Sequence, residues 1–179
     1  MTMAARPRAI WAGRALYLAL STVLILGAVL PLAGPDPRPG PDLLLALTLA
    51  FVLRRPDTVP PLAVAGVFVL ADLLWQRPPG LGALVALAVT EALRNRAPAL
   101  RSQGFAAEWL AATLGTAAFV LGGRVAAAIL FLPLPALTAQ ITGLAWTILA
   151  YPAVALFAWW PCRVRKPEPG DTESGRQRR

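Results

Sequence analysis

The sequence predicts an all-α, polytopic membrane protein, a six-helix bundle in which two of the helices are short. Three observations predict it. The chain of 179 residues is 57% hydrophobic and only 15% charged, against roughly 25% in soluble domains, and its mean hydropathy is +0.60. Its apolar runs are cut by proline-rich turns, and its basic residues gather in alternate turns. Apolar sequence extends from Ala15 to Trp160 and leaves no room for a second folded unit. Residues 1–160 therefore form one transmembrane domain, and residues 161–179 form a polar, basic tail predicted to be disordered. The net formal charge of +8 does not point to nucleic acid, because the arginines lie in short clusters between apolar runs, where basic groups meet anionic lipid headgroups.

The first helix is predicted from Trp11 to Ala33. Arg6, Arg8 and Arg14 precede an uncharged run from Ala15 to Pro35, longer than the roughly 7–15 residues of a signal-peptide core and without an A-x-A site, so it is a retained helix. Gly34-Pro35-Asp36-Pro37-Arg38-Pro39-Gly40-Pro41 ends it, since proline lacks a donor and clashes with the preceding turn. The second stretch, Leu43 to Leu53, has 11 residues and at about 1.5 Å per residue covers roughly 17 Å of a hydrocarbon core about 30 Å thick. It spans if Pro41 and Asp42 cap its start while Arg54 and Arg55 snorkel at its end, or if neighbouring helices shield it.

The third stretch, Pro60 to Trp75, contains Asp72 and ends at Gln76-Arg77-Pro78-Pro79-Gly80. A fourth helix, Leu81 to Leu93, is also short, carries Glu91 near its end and precedes a basic loop from Arg94 to Arg101. The fifth, Phe105 to Leu132, contains Arg124. Pro133-Leu134-Pro135 separates it from the sixth, Ala136 to Trp160.

With the N-terminus inside and six crossings, 14 of the 17 basic residues fall on the inner side, and Arg38, Arg77 and Arg124 are the exceptions. This is the pattern of the positive-inside rule. It predicts a bacterial inner-membrane protein with both termini cytoplasmic. If the two short stretches were re-entrant, four crossings would remain and several basic loops would change sides.

The chain has no histidine, which removes His-based triads, metal sites and proton relays. Its single cysteine, Cys162, follows the last apolar run and can form no intramolecular disulfide; it is a free thiol or a juxtamembrane acylation site. No G-x-x-x-x-G-K, G-x-S-x-G, H-E-x-x-H or paired-cysteine motif occurs, so no catalytic, cofactor-binding or metal residue is assigned. Ala107, Ala111 and Gly115, then Ala118 and Gly122, recur at four-residue spacing and allow close approach of another helix, from within the bundle or from a partner. The six tryptophans lie mostly near predicted helix ends, as in an aromatic belt.

Intramembrane charge is the sharper signal, because it requires pairing or a polar cavity. Asp72 and Arg124 fall at similar depth and can pair, either to fix helix register or as part of a binding site. Glu91 has Arg54, Arg55 and Arg94 in reach, and Glu108 lies close to Arg101; both acids are read as structural.

Pro41-Asp42-Leu43-Leu44, the Arg54-Arg55-Pro56-Asp57 turn, Gly66 ahead of Ala71-Asp72-Leu73-Leu74, Gly80-Leu81-Gly82-Ala83-Leu84 and Tyr151-Pro152 in the last helix together resemble the rod shape-determining protein MreD family. The resemblance covers about Arg14 to Trp160, and the longer Trp75-Gln76-Arg77-Pro78-Pro79 segment is similar to an alphaproteobacterial branch. It implies a non-catalytic membrane scaffold of the cell-wall elongation complex. The implied partner is the bitopic protein MreC, and through it a RodA-type glycosyltransferase, a penicillin-binding transpeptidase and MreB filaments. The family's fold is similar to the substrate-binding components of energy-coupling-factor transporters, which implies as an alternative a protein that captures a vitamin-type small molecule.

Overall fold

The computed structural model describes residues 7–30, 40–100 and 103–159. Most of the proline-rich first loop, Arg101, Trp160, Cys162 and the tail lie outside them. Among the described residues the chain is entirely helical: α1 (Pro7–Val29), α2 (Leu43–Arg54), α3 (Pro61–Leu74), α4 (Leu81–Leu100), α5 (Phe105–Ile129) and α6 (Leu137–Trp159). A 3-10 turn, Pro56–Thr58, links α2 to α3. Three helices are long and apolar enough to cross a membrane: α1 from Ile10, α5, and α6 to Ala158.

The short helix α2 is the centre of the molecule. Every residue from Leu44 to Leu53 is buried, and α2 packs on α1, α4, α5 and α6. A helix apolar on all sides is covered by lipid or by protein, and here protein surrounds it. Its 12 residues therefore do not have to match the lipid thickness. The one polar residue of its apolar core, Thr48, donates to the Leu44 carbonyl at 2.8 Å and accepts the Tyr17 hydroxyl of α1 at 3.2 Å. Tyr17 also tilts against Phe51 with ring centroids 5.6 Å apart.

Each helix runs opposite to the one before it. Gly13 near the start of α1 meets Thr58 beyond the end of α2, and the Trp75 indole at the end of α3 donates to the Ile25 carbonyl near the end of α1 at 3.3 Å. Gly143 early in α6 faces the Gly40 carbonyl ahead of α2, and Gly122 late in α5 faces Val85 early in α4. One end of the bundle thus gathers the start of α2, the α3–α4 turn and the α5–α6 turn. The other gathers Arg14, Arg54, Arg55, Arg94 and Arg96.

Helix α4 departs from the sequence reading. It does not stop at Leu93 but continues through Arg94-Asn95-Arg96 to Leu100, 20 residues in all, with Pro98 inside. Pro98 lies in the last turn, so it forfeits only the hydrogen bond to the Arg94 carbonyl. Arg94 is held from the side as well, donating from Nη1 to the Pro56 carbonyl and from Nη2 to the Val59 carbonyl, both at 2.6 Å. The two short helices are consequently α2 and α3, not α2 and α4.

Helices α3 and α5 end alike. After α3, Arg77 N–H donates to the Asp72 carbonyl at 2.9 Å and Gln76 N–H to the Leu73 carbonyl at 3.4 Å; after α5, Leu132 N–H donates to Ala127 at 2.9 Å and Phe131 N–H to Ala128 at 3.1 Å. These are Schellman motifs. The residues in the left-handed position are not glycine but Gln76 (φ 53°) and Phe131 (φ 54°). Helix α5 stops at Ile129, short of the expected Leu132, because this motif closes its last carbonyls first.

Candidate functional site: a charged cavity between α2, α4, α5 and α6

At the end of the bundle where α2 starts, a cavity of about 500 Å³ is bordered by α2, α4, α5, α6 and the two Schellman turns. Its border brings together Asp42, the Asp72 and Arg77 of one helix end, and Arg124, three segments far apart in sequence, with Gln140, Thr116 and Thr147 and an apolar wall that includes Val85, Phe119 and Leu144.

The two carboxylates serve helix starts. Asp42 caps α2: its Oδ1 accepts the Leu45 N–H at 2.9 Å, and its own backbone N–H donates to Thr147 Oγ1 of α6 at 2.8 Å. Burial raises the Asp42 carboxyl above the usual carboxylate range, opposed by the Leu45 N–H and by the Arg77 charge. Asp72, almost fully buried in α3, sends Oδ2 to the start of α4, accepting the Gly80 N–H at 3.1 Å and the Ala83 N–H at 3.3 Å. Unpaired N–H groups and the positive end of the helix dipole make this a favourable place for an anion. Gly82 is required there, because a Cβ at that position would lie 2.4 Å from Asp72 Oδ1.

The expected Asp72–Arg124 pair does not form. Arg124 donates from Nη1 to the Pro135 carbonyl at 3.1 Å and to Gln140 Oε1 of α6, tying α5 to the turn that follows it. Both residues border the same cavity, but Asp72 Oδ2 is engaged by backbone N–H groups at the start of α4, while Arg124 is drawn to carbonyl oxygens nearer to it in the chain. Arg77 stacks its guanidinium over Trp75 at 4.7 Å.

At the opposite end, Glu108 of α5 accepts Arg54 Nε–H from α2 at 2.7 Å and the Tyr151 hydroxyl from α6 at 2.9 Å. Arg54 Nη1 reaches the Ala155 carbonyl of α6 at 2.8 Å. A three-helix clasp results, with Pro152 beside its tyrosine; a proline at 152 leaves the carbonyl of Ile148 without its helical N–H donor, and the Trp109 indole of α5 donates to that carbonyl at 3.1 Å. Arg54 is the described ion-pair partner of Glu108; Arg101, expected close to it, lies outside the described residues. Glu91 pairs with Arg94 at 2.9 Å, one of the three arginines expected for it.

The small-residue pattern divides between two faces of α5. Ala111 and Gly115 are buried and Ala107 and Gly122 partly so, whereas Ala118 is exposed. A Cβ on Gly115 would lie 2.8 Å from Leu93 Cδ1 and 3.4 Å from Leu49, and one on Gly122 would lie 2.9 Å from Val85. These residues pack α5 onto α2 and α4. Ala118 belongs instead to the outward stripe of Leu114, Leu121 and Val125; the same period of about 3.6 residues that aligns the others turns it away. Trp146 is likewise exposed near the middle of α6, away from a helix end.

Sequence reasoning singled out Asp42, Asp72 and Arg124 but missed Arg77 in the α3–α4 turn, Thr116 in α5 and Gln140 and Thr147 in α6, which no motif in the sequence ties to a shared site. Among the described residues no group of three His, Cys, Asp or Glu side chains could hold a metal ion. No family model, curated protein or solved structure matches the chain.

Proposed function

We propose that this protein is a non-catalytic scaffold of the bacterial cell-wall elongation complex, as its resemblance to the MreD family implies. In this reading it is an inner-membrane protein with both termini in the cytoplasm. It holds an MreC-like single-span protein and, through it, a RodA-type glycosyltransferase, a penicillin-binding transpeptidase and MreB filaments. The observation that carries the reading is how the acids are used. Asp42 and Asp72 are committed to helix starts, Glu108 to Arg54 and Tyr151 on two other helices, and Glu91 to Arg94 within α4, so each of the four has a structural partner.

The outer surface supports the same reading. Helices α1, α5 and α6 leave most of their apolar residues outside the bundle, available to lipid or to another membrane helix. The clustering of Arg14, Arg54, Arg55, Arg94 and Arg96 at one end supports a cytoplasmic placement of that end. Affinity purification from detergent, with mass spectrometry of proteins and small molecules, tests the proposal: MreC-like and RodA-type proteins in the eluate are the expected result. The cavity favours one second reading, a substrate-capture component of a vitamin-type transporter. Recovery of an ATPase module with a bound small molecule, and no cell-wall protein, would replace the scaffold by that reading.

A further inference from the structure

We infer that the cavity between α2, α4, α5 and α6 binds the anionic head of an amphiphile, a phosphate or carboxylate, with Arg124 as its principal contact and Arg77 at its border. The inference stands on the cavity itself and holds under either reading of the protein's function.

Formal charge on the cavity border balances, two aspartates against two arginines, but the hydrogen bonding does not. Both aspartates accept backbone N–H groups at helix starts, where the dipoles of α2 and α4 offset their charge. The guanidiniums have spare donors. A guanidinium carries five N–H groups, and Arg124 uses only Nη1, for Pro135 and Gln140. Its Nε and Nη2 make no hydrogen bond among the described residues, and the Arg77 guanidinium, which stacks on Trp75 and faces the Asp42 charge, likewise makes none. Arg124 is partly buried and Arg77 exposed, so their spare donors are open to a ligand, and a planar guanidinium edge fits a phosphate or carboxylate in a two-pronged contact.

The rest of the cavity fits an amphiphile. Its volume of about 500 Å³ falls within the roughly 300–1,000 Å³ of small-molecule sites. Leu81, Val85, Phe119, Val120 and Leu144 supply an apolar wall for a hydrocarbon body. Gly123 of α5 borders the cavity one residue before Arg124, and a Cβ there would meet no atom within 4 Å. This position, unlike Gly115 and Gly122, is not closed by a neighbouring helix.

Phosphodiester lipid and soluble anion share this chemistry, and native mass spectrometry of the delipidated full-length protein separates them. Phosphatidylglycerol, glycerol phosphate and decanoate are the probes, with diacylglycerol as the uncharged match. Saturable one-to-one binding of phosphatidylglycerol but not diacylglycerol, weakened at least tenfold by Arg124→Gln and by Gly123→Leu and unchanged by Arg96→Gln at the far end, supports a lipid source. The same dependence for decanoate, in the absence of lipid binding, supports a soluble amphiphile, whereas binding of glycerol phosphate alone overturns the amphiphile. Gly123→Leu fills open space and keeps all charges, so it remains informative if Arg124→Gln does not fold. Equal binding of diacylglycerol, binding indifferent to both variants, or no binding of any probe overturns the inference. None of these outcomes bears on recovery of a cell-wall partner.

Discussion

Arg54 donates its Nε–H to Glu108 at 2.7 Å, and the two side chains are only 25% and 16% exposed. This contact ties the end of α2, the buried centre of the molecule, to α5, and Glu108 passes the connection on to α6 through Tyr151. Removing one member of a buried pair strands the other, at about 3–5 kcal/mol when burial is complete. Partial exposure puts Arg54→Ala at about 2–3 kcal/mol of stability, whereas Tyr151→Phe, which removes one hydrogen bond, is expected to lose about 1 kcal/mol. Denaturant unfolding in a fixed detergent checks both; equal and negligible losses would mean the clasp does not hold the helices.

Asp72 and Arg124 border one cavity without bonding, so their losses are expected to add. Asp72→Ala leaves the Gly80 and Ala83 N–H groups without their acceptor and should cost about 1–3 kcal/mol. The double variant Asp72→Ala with Arg124→Ala should match the sum of the singles within about 0.5 kcal/mol. A double variant more stable than that sum predicts would show that the two charges are coupled after all.

On α5, the contrast between inward and outward small residues gives a paired test. Gly115→Ala pushes a methyl group against Leu93 and Leu49 and should destabilise by about 1–3 kcal/mol, as overpacking does. Ala118→Leu, on the exposed stripe, should change stability in detergent by less than about 0.5 kcal/mol. Thermal unfolding midpoints of the two variants, compared with the parent, decide the matter, and a reversed order would contradict the packing described.

Gln76 and Phe131 hold left-handed backbone at the ends of α3 and α5. Side chains with a Cβ lose roughly 1–2 kcal/mol in that region relative to glycine, which itself gives back part of the gain through unfolded-chain entropy. Phe131 is 96% exposed and gives up little packing, so Phe131→Gly should stabilise by up to about 1 kcal/mol. A lower unfolding midpoint for Phe131→Gly would show that its ring contributes more than the backbone strain removes.

Much of the fold was legible because membrane helices announce themselves by apolar length and by the prolines between them. Leu43 to Leu53 is too short to stand alone in lipid, and the structure surrounds it with α1, α4, α5 and α6. The end of α4 is not legible at Arg94, whose charge resembles a loop signal in sequence but in space reaches the carbonyls of Pro56 and Val59. The candidate site was half legible. Buried charge marks a residue as needing a partner, yet the partner of Asp72 is backbone, which carries no sequence signature, and the partner of Glu108 lies 54 residues away. Four-residue spacing marked the inward face of α5, but the step from Gly115 to Ala118 is three residues and turns the stripe outward.

The central claim is that the protein holds a single-span partner in the membrane, and photo-crosslinking in growing cells tests it most directly. A photoreactive residue placed in turn at Leu26 on α1, Leu121 on α5 and Leu149 on α6, all exposed, samples the three long outward faces. The account predicts that at least one position gives an adduct with an MreC-like single-span protein and that the cells carrying the protein remain rods. Lipid adducts alone at all three positions, with the protein present at its normal level, would contradict it.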